Sequence, residues 1–130
     1  MHRIRRLALV LVGAAACSRS PQPPEPPVSA HDVAAVRAGE ALAIRNQGSD
    51  PLALSVFDRD FAARALFSPC IDPGSSCVRL PAGGELRIPV TKIAGYSPST
   101  REVVVYTWRV VADGRGGFRA DSVQARVVSF

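Results

Sequence analysis

The sequence predicts an all-β domain, an antiparallel two-sheet sandwich, from three observations. About seven short runs in roughly the last ninety residues alternate apolar and polar side chains, which is the period of a β-strand. Turn residues separate these runs at intervals of about eight to twelve positions, as is typical of sandwich folds. The run Glu102–Ala112 is rich in β-branched and aromatic residues, which favour strands.

The first segment has the organisation of a secretory signal peptide. Three arginines stand within the first six residues, followed by the apolar run Leu7–Val12 and a stretch of small residues. The apolar part is about ten residues long, whereas a membrane-spanning helix needs roughly twenty. The sequence Ala14-Ala15-Ala16-Cys17 resembles a bacterial lipobox, with Ala14 where that pattern usually has leucine. The resemblance implies cleavage before Cys17 and its lipidation; an ordinary cleaved signal or an uncleaved anchor are the alternatives.

Three regions follow from this reading: a signal peptide at 1–16, a lipidated cysteine with a proline-rich tether at 17–40, and the β-sandwich domain at 41–130. Ser20–Pro27 is dominated by proline, which favours an extended polyproline II path and cannot form a core. A semi-rigid spacer is the expected role, with a ligand for a proline-binding domain as the alternative. Ser29–Glu40 fits either a short helix or an edge strand.

Charge argues against nucleic-acid binding. The whole chain has 16 basic and 11 acidic residues, a net charge of +5. Loss of the three arginines at the start would leave 13 basic and 11 acidic residues. Most of the basic character therefore belongs to the export segment.

The first half of the domain is predicted to contain a β-hairpin. Ala41–Arg45 and Leu52–Phe57 both alternate, and a Gly/Asp/Pro turn joins them. Phe61–Phe67 fits either helix or strand. A short strand is expected around Val78–Leu80, and Pro89 places the following strand at a sheet edge or bulge.

The second half is predicted to form another hairpin. Within Glu102–Ala112, the face carrying Val104, Tyr106, Trp108 and Val110 is the more apolar one, so we expect it to face the core. Asp113–Gly117 is the predicted loop. The last strand is expected at Ser122–Ser129, with Val123, Ala125 and Val127 on one face.

Cysteine usage predicts one disulfide. With Cys17 assigned to lipid, Cys70 and Cys77 are left as a pair around a Pro-Gly turn, in a compartment where disulfides persist. A reactive or metal-binding thiol pair is the alternative, although the spacing is not that of a CxxC motif.

The sequence predicts no enzyme, metal site or cofactor. His31 is the only histidine after Cys17 and lies beside the tether, and no nucleophile or zinc motif is present. Asp58-Arg59-Asp60 offers few of the oxygens that calcium requires and is interpreted as a polar loop with a local ion pair. Loops of a sandwich often carry recognition, so Tyr96, Arg115 and Phe118 are the candidate binding residues.

Two family resemblances bear on function. The strand pattern resembles bacterial immunoglobulin-like domains, and Ile93-Ala94-Gly95-Tyr96 looks like their tyrosine corner. Leu80–Gly83 and Val103–Arg109 are loosely similar to the outer-membrane lipoprotein of type VI secretion.

We therefore expect a non-enzymatic, lipid-anchored protein of the cell envelope that acts as a binding or accessory module for an unidentified ligand, an envelope protein being one candidate partner. Ser18 resembles the outer-membrane default if the organism is Gram-negative. An assembly component of the secretion type or an inhibitor of an envelope-directed hydrolase are the alternatives.

Overall fold

The computed structural model describes residues 32–74 and 76–130 and confirms an all-β sandwich of two antiparallel sheets. The predicted signal peptide, Cys17, the proline-rich tether and His31 lie outside the described residues. Within them, a single helical turn, α1, occupies Arg59–Ala62 and a 3₁₀ turn occupies Val90–Lys92. The strands are β1 (Val33–Ala38), β2 (Ala41–Asn46), β3 (Leu52–Asp58), β4 (Arg79–Leu80), β5 (Glu85–Pro89), β6 (Glu102–Ala112) and β7 (Phe118–Ser129).

The strand order is that of an immunoglobulin-like sandwich. One sheet has the order β1-β2-β5 and the other β4-β3-β6-β7. The first, second and fifth strands therefore share one sheet and the third, sixth and seventh share the other, as in immunoglobulin domains. The fourth strand joins the second sheet beside β3, and it is only two residues long.

The segment predicted to be helix or strand before the domain is a strand. β1 pairs antiparallel with β2 through a two-residue turn, in which Gly39 has a φ of +62°. This left-handed conformation suits glycine. Val33 is buried in the core. β1 therefore belongs to the folded domain, which includes residues before the predicted boundary at residue 41.

The predicted hairpin between the second and third strands is wrong, because β2 and β3 belong to different sheets. The connection is held by Asn46, which is fully buried. Its Nδ2 donates to the carbonyl of Asp50 at 2.7 Å and to that of Leu80 at 3.3 Å, and Gly48 N–H donates to its Oδ1 at 3.0 Å. The connection thus leads from one sheet to the other, so that the apolar residues of β2 and β3 face each other across the core.

The prediction of which β6 face points into the core is also wrong. Val103 and Val105 are at most 1 % exposed and pack between the sheets, whereas Tyr106 and Trp108 lie on the outer face of the four-stranded sheet. Trp108 is nonetheless fully buried, beside Ala53 and Cys77. Both faces of this central strand are therefore covered, and relative apolarity does not distinguish them.

The core between the sheets is aliphatic. Its residues come from both sheets, with Val90 and Ile93 contributed by the connection before β6. Tyr96 packs its ring against this core, 6.4 Å from the ring of Phe130, and its N–H donates to the Ile93 carbonyl at 3.1 Å. The buried members are Val33, Leu42, Ile44, Leu52, Leu54, Val56, Leu80, Val90, Ile93, Val103, Val105 and Val128.

The remaining elements differ from expectation mainly in length. The Phe61–Phe67 segment contains only the last part of α1, followed by turns and coil. β5 ends at Pro89 and lies at a sheet edge, as predicted from the proline. The β6–β7 hairpin is confirmed, but β7 begins at Phe118 rather than Ser122. A register shift opposite Trp108, with Ser122 at a φ of +54°, marks a bulge in β7.

Candidate functional site

An apolar groove lies between the part of the β3 edge that β4 leaves uncovered and the free edge of β5. It has a volume of about 440 Å³ and opens into the space between the two sheets. Its floor is formed by Leu54, Val56 and Ile93, all buried in the core. Leu86 and Ile88 of β5 form the opposite wall, and both are only partly covered. We call this feature the edge groove.

The wall formed by β3 offers an unpaired backbone N–H. Leu54 N–H donates to the Val78 carbonyl at 3.0 Å, and Asp58 N–H donates to the Ala94 carbonyl at 2.9 Å. Alternate residues of a strand direct their N–H and C=O to the same edge, so those of Val56 point into the groove between these two contacts. The N–H of Val56 has no hydrogen-bond partner in the described part of the chain, whereas its carbonyl faces Ala94 N–H in the parallel bridge between Phe57 and Ala94. Burial of such groups is costly unless a partner is supplied.

The disulfide explains why β4 ends before reaching Val56. The register of β4 on β3 would bring residue 76 opposite Val56. Instead, Cys77 is buried on the outer face of the sheet and bonded to Cys70, with their Cα atoms 5.6 Å apart. The predicted disulfide is therefore present, and it holds the loop away from the β3 edge.

An aromatic layer on the outer face anchors the disulfide loop. Trp108 Nε1 donates to the Cys70 carbonyl at 2.8 Å. The ring of Phe67 stacks on Tyr106 at 4.4 Å and meets Trp108 edge-on at 5.5 Å. Phe57 contacts both Phe67 and Tyr106 at about 6 Å. These contacts bind the loop to the sheet, so the opening at β3 is a built feature of the fold.

Hydrogen bonds also rigidify the tip of the loop. The carboxyl of Asp72 accepts from the Ser76 hydroxyl and from Gly74 N–H, and these bonds hold its pKa below the usual value. Arg79 Nη2 donates to the Asp72 carbonyl at 2.7 Å. The loop is thus tied to the start of β4.

The rim of the edge groove is cationic. Lys92 and Arg87 line it, and both are exposed. Arg87 Nε lies 3.3 Å from a carboxyl oxygen of Glu85, an exposed pair that is worth little energy. Val78, about half exposed, completes the rim on the β4 side. The groove therefore combines an apolar floor, backbone hydrogen-bonding groups and positive charge at its mouth.

A second, polar cleft of about 280 Å³ lies beside α1. Its charged groups are largely paired with one another. Asp58 caps α1 by accepting from Phe61 N–H at 2.9 Å and also accepts from the Thr100 hydroxyl at 2.8 Å, which holds the pKa of Asp58 below its usual value. Arg59 forms an ion pair with Glu102. These contacts tie α1 to the chain before β6.

The Asp58-Arg59-Asp60 sequence accordingly serves a helix cap and an ion pair. Across residues 32–74 and 76–130, no group of three or more histidine, cysteine or acidic side chains is placed to hold a metal ion. Over the same ranges, no helix is long and apolar enough to cross a bilayer.

The three predicted binding residues do not come together. Tyr96 is half-buried near the start of β6, whereas Arg115 and Phe118 lie at the hairpin beyond its other end. Eleven residues of β6 separate the two places, or about 35 Å of extended strand. They cannot form one site.

The residues of the edge groove were not predicted as a site. Only Pro89, which indicated an edge strand, was a signal for one of its walls. The rest depends on which strand edges the fold brings together, and no local pattern reports that. The groove is thus a property of the immunoglobulin-like sandwich with a shortened fourth strand. No family model, curated protein or solved structure matches the chain.

Proposed function

We propose that the chain is a lipid-anchored protein of the cell envelope whose sandwich domain binds an extended segment of a partner protein in the edge groove. The observation that carries this proposal is the unpaired backbone N–H of Val56 at an apolar groove. An extended peptide would add a strand at this edge, supplying an acceptor for Val56 N–H and apolar side chains to the floor. Acidic residues of the partner would meet Arg87 and Lys92 at the rim.

The dimensions of the groove favour a short strand. Val78 already lies opposite Leu54, and Ala94 lies opposite Phe57, so the open part of the β3 edge is limited to Ser55 and Val56. Four residues of strand span about 13 Å. A peptide would therefore pair closely with β3 over about two residues and continue along the free edge of β5, with alternate side chains directed to the floor.

Anchoring through Cys17 is the second part of the proposal, and it rests on the lipobox-like sequence at 14–17. Replacing Cys17 with serine should release the protein from the membrane fraction into the soluble one, or block its processing. Unchanged membrane retention with normal processing would refute lipid anchoring and leave the groove proposal standing. Whether an anchored form lies in an outer membrane can be read from density-gradient separation of the two membranes.

The groove can be tested with a displayed library of random nine-residue peptides selected on the purified chain. We expect the selected peptides to share alternating apolar residues flanked by acidic ones. Replacing Val78 with glutamate places a charge at the rim and should weaken binding at least tenfold. The matched control is Val36→Glu on β1, a residue 62 % exposed and outside the groove, which should leave binding unchanged.

Strand addition makes a further demand on the peptide backbone. Only alternate N–H groups of the peptide would point toward β3. Methylation of a backbone nitrogen whose N–H points toward β3 should therefore abolish binding of a selected peptide. Methylation of the nitrogens in between should be tolerated. Equal tolerance at all positions, or equal effects of Val78→Glu and Val36→Glu, would refute the proposed mode of binding.

A further inference from the structure

The free edge of β7 is the longest exposed strand edge in the described part of the chain. β7 runs from Phe118 to Ser129 and pairs only with β6. In its second half, Val123 is 47 % and Val127 is 49 % exposed, and Ala125 and Arg126 are exposed as well. Long exposed edges are prone to pair with other strands unless they are covered. The bulge at Ser122 bounds the regular part of this edge.

The direction of the backbone groups can be read from one contact. Phe130 N–H donates to the Arg101 carbonyl at 2.8 Å, in the same register as the pairing of β6 with β7. Even-numbered residues between this contact and the bulge therefore direct their N–H and C=O toward β6. The backbone groups of Val123, Ala125 and Val127 point toward the free edge.

The sequence of this edge complements itself in one antiparallel register. A two-fold axis at Ala125 places Val123 opposite Val127 of a second copy and Gln124 opposite Arg126. The two valines lie on the outer face, because Val104 pairs with Val127 and Tyr106 with Ala125. No like charges oppose each other in this register. Cross-strand pairs of this kind stabilise sheets.

Neighbouring registers are less favourable. A two-fold axis at Arg126 would place its guanidinium directly opposite its own copy. An axis at Val127 would pair Ala125 with Ser129, so that the exposed Val123 of one copy would no longer lie opposite Val127 of the other. The register at Ala125 uses all three residues that point to the edge and forms about six hydrogen bonds between the copies.

We propose that the protein forms a two-fold symmetric dimer by antiparallel pairing of β7 with β7 of a second copy, centred on Ala125. The two four-stranded sheets become one continuous sheet. The outer-face valines of both copies join into a single apolar strip. The pairing leaves the edge groove free, since that groove is formed by β3 and β5.

The register is tested by changing the charge opposite Arg126. Sedimentation equilibrium is carried out on the 130-residue chain with Cys17→Ser. Gln124→Glu creates two oppositely charged pairs in the dimer and should lower the dimer dissociation constant about two- to thirtyfold. Gln124→Arg places like charges opposite each other and should raise it by a similar factor. Both variants alter the same side chain of the monomer, so each controls for the other.

Two further variants test the position of the axis. Ala125→Pro removes an N–H that points away from β6, so it should abolish the dimer while thermal unfolding of the monomer stays cooperative. In the same Cys17→Ser background, oxidation of Ala125→Cys should trap a covalent dimer, and Val36→Cys on β1 should not. A protein that is monomeric up to 0.5 mM, equal responses to the two Gln124 variants, or trapping through Val36→Cys would overturn the proposal.

Discussion

Trp108 should be the most costly single residue to truncate in this domain, although it lies outside the core between the sheets. It is fully buried and packs against Phe67, Ala53 and Cys77. Replacing a buried tryptophan with alanine costs about 3–5 kcal/mol. Small domains have a total stability of about 5–15 kcal/mol, so the variant should remain folded but be close to unfolding.

Trp108→Phe separates the hydrogen bond from the bulk of the ring. The smaller ring can still contact Phe67, but the Cys70 carbonyl loses its donor at 2.8 Å. Leaving a buried acceptor without a partner costs about 1–3 kcal/mol, to which the volume difference adds. Val105→Ala is the matched control on the opposite face of β6, where the loss of two methyl groups should cost about 2 kcal/mol.

The assay is urea unfolding followed by circular dichroism, with and without reduction of the disulfide. Because Trp108 holds the loop closed by Cys70 and Cys77, its substitution and reduction should be non-additive by more than about 0.5 kcal/mol. Val105 packs on the other side of the sheet, so the loss of unfolding free energy in Val105→Ala should add to the loss caused by reduction. A loss below about 1 kcal/mol for Trp108→Ala, or additivity with reduction, would refute this account of the outer face.

Three other predictions follow from local geometry. Replacing Cys70 and Cys77 with serine should lower the free energy of unfolding by about 2–3 kcal/mol in a urea titration while the far-ultraviolet spectrum remains that of a β-protein; a change below 0.5 kcal/mol would contradict it. Gly95→Ala should cost more than about 2 kcal/mol, because Gly95 has a φ of +79° and a Cβ there would lie 2.3 Å from that of Phe61; the penalty should shrink in a Phe61→Gly background, which lacks that Cβ. The pKa of Asp58 is lower in the folded protein than its value of 3.8 in the unfolded chain, so the ionised carboxylate stabilises the fold at pH values above 3.8, and this contribution is lost as the pH falls through the folded pKa; between neutral and acid pH, the free energy of unfolding should therefore fall less for Asp58→Asn than for the wild type.

The position and type of most strands could be predicted from the sequence. The β-branched run Glu102–Ala112 is a strand with the predicted bounds, and Pro89 marks an edge strand. The disulfide could also be predicted, because Cys70 and Cys77 were the two cysteines left after Cys17 was assigned to lipid, and a turn separates them. These features are local: they depend on side-chain period, turn residues and close spacing in the chain.

The edge groove could not be predicted from the sequence, because it combines parts of the chain that are far apart in sequence. Its two walls, β3 and β5, belong to different sheets. Its opening depends on a loop drawn to the far face of the sheet by Trp108. The predicted binding residues, by contrast, were chosen from turn composition, which does not report spatial proximity, and they lie at opposite ends of the domain.

The sequence by itself determined about seven strands with alternating apolar and polar side chains, and one loop closed by a disulfide. Only the tertiary structure decided which sheet each strand joins and which face of each strand meets the other sheet. The physical reason is that both faces of a strand such as β6 are apolar. The sequence is then equally consistent with either face pointing into the core. The buried Asn46, which directs the chain from one sheet to the other, and the packing of Trp108 beneath the loop settle these choices through contacts between residues far apart in sequence.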